Sequence, residues 1–114
     1  MKREFPGDEN GDVLRRMRDS GDDLSKPRDI DFTVVLPGET QAETLAALFR
    51  KQGLEAVVDC ANVVPGLPWE VVVSKFMVPA HGAITEFENV LQAAAGPLGG
   101  RNDGWGCFER PVDH

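Results

Sequence analysis

The chain has 114 residues, the usual size of one domain, and 41% of them are hydrophobic, which is enough to fill one core. Its formal net charge of −7 would repel a phosphate backbone, because nucleic-acid-binding proteins usually present a basic face. No stretch approaches the roughly 18 apolar residues of a membrane helix, and the N-terminus has no signal-peptide core. Composition therefore predicts a cytoplasmic protein without a membrane segment and without direct nucleic-acid binding.

The first predicted elements are a short helix and a strand. An apolar stripe indicates an amphipathic helix at about 9–19, which follows a polar stretch, residues 1–8, that we expect to be flexible. An ordered loop, anchored by Leu24 and Pro27, should then lead to the first strand. Apolar and polar residues alternate over 30–36, which is the pattern of a strand with one buried face.

The first strand is followed by a predicted helix with signals at both ends. Thr40 and Glu43 have the spacing of a capping box, and Gly53 suits the position after the last turn. Four apolar residues at helical spacing predict the buried face of this helix: Ala42, Leu45, Ala46 and Phe49.

The second half of the chain predicts a hairpin, a helix and a last strand. Strands at 54–60 and 69–76 are separated by a turn rich in proline and glycine. A helix should begin after Pro79 and end at the glycines and proline of 96–100. The last strand is expected at about 104–108, followed by a flexible end at 111–114.

The order β-α-β-β-α-β predicts an α+β fold of the ferredoxin-like type, in one domain at 9–110. Two helices should cover one face of a four-stranded antiparallel sheet, with the short N-terminal helix added. In the strand order 4-1-3-2, Cys60 and Cys107 lie on opposite edges, too far apart for a disulfide. We expect two free, buried thiols.

Residues for catalysis or metal binding are few. The two histidines, His81 and His114, occupy a predicted helix start and the last position, and no metal-binding motif is present. We expect no enzyme activity, no metal and no cofactor. An acidic group in the loop and at the start of the first strand could hold the loop by capping and ion pairing, or could bind a cation or supply acid–base groups. It consists of Asp22, Asp23, Asp29 and Asp31.

Trp105 lies between two glycines where the last strand should run. Glycine weakens a strand unless the backbone bulges or something approaches closely. One hypothesis makes Trp105 a core residue, with Gly104 and Gly106 leaving room for its indole. The other places Trp105 at the sheet surface as a binding anchor, a role in which tryptophan is common.

Two segments resemble the ribonuclease E activity regulator B family over about residues 10–108. They are Gly21-Asp22-x-Leu24 with Pro27-Arg28, and Asp103-Gly104-Trp105-Gly106. The resemblance implies a ferredoxin-like domain without catalysis that binds ribonuclease E and lowers its activity on RNA. It also implies a family-specific, partner-binding cluster where the loop before the first strand meets the last strand. The residues assigned to it are Gly21, Asp22, Leu24, Arg28, Asp103, Gly104, Trp105 and Gly106.

Three functional hypotheses follow from the sequence. The first is a non-catalytic regulator whose acidic domain binds a basic or apolar surface of a partner protein, with ribonuclease E as the candidate. The second is a small-molecule-binding or enzymatic domain that uses the acidic loop and His81. The third is a homodimeric module, since sheets of this kind often pair.

Overall fold

The computed structural model of the chain describes residues 9–19, 21 and 26–106. The predicted flexible ends and loop residues 22–25 lie outside them. The described elements follow the predicted order, with a 3-10 helix at Gly96–Leu98 after the third helix. They are α1 (Glu9–Asp19), β1 (Arg28–Leu36), α2 (Glu39–Arg50), β2 (Glu55–Val64), β3 (Leu67–Met77), α3 (His81–Ala95) and β4 (Arg101–Gly106).

The four strands form one antiparallel sheet in the order β2-β3-β1-β4. This is the predicted 4-1-3-2 order read from the other edge, and the β2–β3 hairpin is also confirmed. Helix α2 packs on β2 and β3, and helix α3 packs on β1 and β4, with α1 against α3. The α+β, ferredoxin-like arrangement is therefore confirmed, with both longer helices on one face.

Three phenylalanines join the sheet to both helices at the centre of the core. The ring of Phe87 in α3 meets Phe32 in β1 edge-to-face, with centroids 4.7 Å apart, and Phe49 in α2 at 6.0 Å. Leu14 of α1 is fully buried in the same cluster. The predicted apolar face of α2 is buried in full. Burial of these apolar side chains is the main driving force for the fold.

Helix α2 begins at Glu39, one residue before the predicted cap. Gly38 is the N-cap residue, and no side chain caps the helix. Thr40 lies inside the first turn, where its carbonyl accepts a hydrogen bond from the Thr44 hydroxyl at 2.8 Å. The predicted capping box is therefore wrong, because the helix starts directly after the bend at Pro37 and Gly38.

Strand β4 begins at Arg101, three residues earlier than predicted. Arg101 and Asn102 already pair with Val35 and Val34 of β1. Gly100 makes this early start feasible, because a Cβ there would lie 2.5 Å from the Val35 carbonyl oxygen. The predicted end of the strand at residue 108 lies outside the described residues.

Side chains of α3 fix β4 to the helical layer. The Gln92 Oε1 atom accepts a hydrogen bond from the Asn102 backbone N–H at 2.9 Å, and the Asn102 side-chain amide donates to Glu88 at 2.8 Å. The sheet thus keeps one face under the helices, while the other is free of any described helix.

None of the described helices is long and apolar enough to cross a membrane.

Candidate protein-binding face

The sheet face turned away from α2 and α3 has no described helix packed on it; we call it the open face. Strand pairing defines its members, since cross-strand partners share a face and alternate residues along a strand point the same way. Its residues form rows that run across the strands. Two rows cross all four strands, Asp59-Glu70-Val35-Arg101 and Glu55-Ser74-Asp31-Gly106, and the row between them, Val57-Val72-Thr33, has no β4 member.

The central row is apolar except for one hydroxyl. Val72 pairs with Val57 on one side and with Thr33 on the other. Val57, on the edge strand, is 58% exposed, and Val72 and Thr33 are partly buried. Below the third row, Phe76 pairs with Asp29 and is 63% exposed. The open face therefore exposes apolar side chains at two levels along the strands.

Carboxylates lie on both sides of the central apolar row. Asp59 and Glu70 face each other directly in the row above, and Glu55 and Asp31 stand on either side of Ser74 in the row below. Like charges directly opposite each other on a sheet are destabilising. With Asp29 and Asp103, six carboxylates share the open face of the described strands with one guanidinium, that of Arg101. The face is strongly acidic.

Few of these carboxylates are neutralised from within the protein. Asp103 has Arg101 at 3.4 Å, and Asp31 accepts a hydrogen bond from the Ser74 hydroxyl at 2.6 Å. Among the described residues, no ion pair involves Asp29, Glu55, Asp59 or Glu70. An exposed ion pair such as Arg101–Asp103 is worth at most about 1 kcal/mol, so it offsets little of the local charge.

A cavity of about 450 Å³ opens on this face beside β4. One side of the cavity is formed by β1 and β3, through Asp31, Thr33 and Val72, and β4 forms the rest of its wall. The β4 residues are Asp103, Gly104, Trp105 and Gly106. All four residues of the terminal motif are thus brought together at one cavity, where the central apolar row ends.

A bulge in β4 shapes this wall. Between the pairs Asn102–Val34 and Trp105–Phe32, β4 has two residues, Asp103 and Gly104, whereas β1 has only one residue. Gly104 has a φ of +106°, a conformation that residues with a side chain rarely adopt, whereas Gly106 has no positive φ. A Cβ on either glycine would meet no atom within 4 Å. The hypothesis that the glycines leave room for the indole is therefore wrong; Gly104 is needed for the backbone of the bulge.

Trp105 takes part in both the core and the cavity. It pairs with the buried Phe32, and its partly buried side chain packs against the hydrophobic cluster. It also lines the cavity. The choice between a core residue and a surface anchor is therefore too simple, because the same residue connects the two regions.

Two further residues of the predicted cluster, Gly21 and Arg28, do not line this cavity. Arg28 belongs to β1 rather than to the preceding loop, pairs with Met77 and is only 2% exposed. It lies four residues along the strand from Phe32, or about 13 Å at 3.3 Å per residue. Gly21 follows α1 with a φ of +92°. Asp22 and Leu24 are outside the described residues, so their part of the predicted cluster is untested.

Other predicted site residues have separate locations. His81 is the first residue of α3, as expected, and it does not line the cavity on the open face. No group of acidic, histidine or cysteine side chains among the described residues could hold a metal ion. Cys60 is a free cysteine but is exposed, so the expectation of a buried thiol is wrong for it; Cys107 lies outside the described residues.

The rows of the open face were missed by the sequence reasoning. Strand alternation alone marks Glu55, Val57 and Asp59 as one side of β2, but it was used only to identify a strand. Which residues stand beside them depends on the register with β3 and β1, which only the structure supplies.

Comparison with known families gives a match over nearly the whole chain. A family model described as regulator of ribonuclease activity B matches residues 7–107. This range contains every residue on which the sequence resemblance was based. No curated protein matches the chain.

Proposed function

Because this chain belongs to the regulator of ribonuclease activity B family, we propose that it is a non-catalytic cytoplasmic protein that binds a ribonuclease of the ribonuclease E type and lowers its activity on RNA. The family regulates ribonuclease activity, which makes a nuclease the first candidate partner. The observation that supports binding by contact is the open face, an exposed surface with both apolar side chains and charge. Exposed apolar side chains rimmed by polar or charged ones are a known feature of protein-interaction sites.

The charge of the chain favours contact with the nuclease rather than with its substrate. A net charge of −7 and six carboxylates on one face repel the phosphates of RNA. A nuclease, by contrast, must present basic groups wherever it binds RNA. A protein that covers such groups competes with RNA without touching it, by steric exclusion and by neutralising the charge that attracts the substrate.

The decisive experiment measures ribonuclease E turnover of a labelled RNA with increasing amounts of this protein, together with capture of the nuclease on the immobilised protein. We expect turnover to fall in proportion to the nuclease captured. A double charge reversal on the helical layer, Glu43→Lys with Glu86→Lys, is the control for nonspecific charge effects, since both side chains are exposed there. Unchanged turnover together with no captured nuclease would exclude this function.

A small-molecule-binding role is the second candidate, and the cavity beside β4 favours it. Its volume of about 450 Å³ lies in the range of about 300–1,000 Å³ that ligand sites occupy. The polar side chains in its wall are Asp31, Thr33 and Asp103, so a cationic or hydroxylated ligand would suit it. Thermal unfolding in the presence of a library of small amines and polyols tests this role, and no rise in the midpoint with any compound counts against it.

A further inference from the structure

We propose that the open face binds a basic segment of the partner protein that crosses the strands. An apolar side chain of that segment packs on Val57 and Val72, and lysine or arginine side chains on either side of it reach the carboxylates above and below. The identity of the partner as a nuclease rests on the proposed function. The recognition chemistry rests on the open face alone.

The pattern of charge on the open face favours a basic segment. Carboxylates flank the apolar row on both sides along the strands, with Asp59 and Glu70 above and Glu55 and Asp31 below. Opposed carboxylates repel each other in the free protein, and cations of a bound segment would relieve that repulsion. A partner with positive charge is therefore attracted to this face, and its binding stabilises the face by relieving the repulsion between the carboxylates.

The dimensions of the open face match a short extended segment. Neighbouring rows on one face are two residues apart along the strands, about 6.6 Å, and neighbouring strands are about 4.8 Å apart. A segment lying over the central row from β2 to the cavity beside β4 therefore covers about 14 Å, or four to five extended residues. Lysine and arginine stems are long enough to reach the row on either side from such a position.

Other occupants of an exposed sheet face match the charge of the open face less well. Single-stranded RNA would bring phosphates against six carboxylates, and a second copy placed face to face would bring twelve carboxylates together. The exposed aromatic ring, Phe76, also stands beside a carboxylate, Asp29, rather than beside a basic residue. A basic, partly apolar peptide is the class of ligand whose charge and polarity match all rows.

The test uses the whole chain and a fluorescein-labelled peptide with three lysines, one leucine and three lysines, followed by fluorescence anisotropy. The variant is Glu55→Lys with Glu70→Lys, and the matched control is Glu43→Lys with Glu86→Lys, which changes the net charge equally. Because the lysine introduced at position 70 faces Asp59 across the strands, the variant should fold, which circular dichroism checks. We expect the open-face variant to weaken binding about tenfold or more, and the control to weaken it less than about threefold.

Two further comparisons test the chemistry. Replacing the leucine of the peptide by serine should weaken binding severalfold, and raising the salt concentration should weaken it steadily, because exposed charges are screened. Equal losses in the open-face variant and the control would overturn the proposal. Tighter binding of a single-stranded RNA than of the peptide, or a dimer in sedimentation that the open-face variant disrupts, would overturn it as well.

The same two variants separate this proposal from the proposed function. If wild type and open-face variant lower ribonuclease turnover equally and neither binds the peptide, the open-face proposal fails while the regulatory role stands. If the peptide binds as expected but wild type leaves turnover unchanged, the regulatory role fails while the recognition chemistry stands.

Discussion

The bulge in β4 gives a sharp test because two nearby glycines have equally open surroundings but different backbone conformations. A Cβ at Gly104 or at Gly106 would meet no atom within 4 Å, so neither Gly→Ala change creates a clash. Gly104, however, has a φ of +106°, and Gly106 does not have a positive φ. A larger loss of stability in Gly104→Ala than in Gly106→Ala therefore reports mainly the cost of the left-handed backbone at the bulge.

The size of the difference follows from two opposing effects. Forcing a residue with a Cβ into such a conformation costs roughly 1–3 kcal/mol, while replacing glycine restricts the unfolded chain and stabilises by about 0.4–1 kcal/mol. We expect Gly104→Ala to lower the free energy of unfolding by about 1–2 kcal/mol, and Gly106→Ala to leave it unchanged or raise it by less than about 1 kcal/mol.

Urea unfolding followed by far-ultraviolet circular dichroism measures both variants, because this signal reports the whole fold. Similar slopes against urea are required for the comparison, since a changed slope would indicate a change in the unfolded state. Equal stabilities of the two variants would refute the bulge as the reason for glycine at position 104. A loss of stability in Gly106→Ala alone would refute the register that separates them.

Three further changes test the rest of the fold. Trp105→Ala should lower the free energy of unfolding by about 2–3 kcal/mol in urea titrations, less than for a fully buried tryptophan because the side chain is partly exposed. Gly100→Ala should cost about 1–3 kcal/mol, since its Cβ would lie 2.5 Å from the Val35 carbonyl oxygen; a stability equal to wild type would contradict this close approach. In a Cys107→Ser background, Cys60 should react with a thiol reagent in the folded protein as readily as in urea, and protection would contradict its exposure.

The order and type of the elements could be predicted because each has a local signal. Alternation identified β1 and β2, and helical spacing identified the buried face of α2. Boundaries were less accurate where tertiary contacts decide them. The start of β4 depends on its pairing with β1, which the close approach at Gly100 permits. The start of α2 depends on the bend after β1, which places the N-cap at Gly38 and Thr40 inside the first turn.

The candidate site was predictable only in part, for a related reason. The terminal motif, Asp103 to Gly106, was singled out by its composition, and the structure does place it at a cavity. The residues opposite it, such as Val72 and Asp31, come from strands far away in the sequence. Because a slip of one residue in register would exchange the two faces, no local pattern could assign them to this surface.

The terminal motif connects the hydrophobic core with the open face rather than forming a site alone. Trp105 is held by the core through its pairing with Phe32, and the bulge at Gly104 then shapes the wall of the cavity on the opposite face. A change at Trp105 should therefore disturb packing and the open face together. A change at Glu70 should affect the open face alone, so that charge reversal there separates binding from stability more cleanly than Trp105→Ala does.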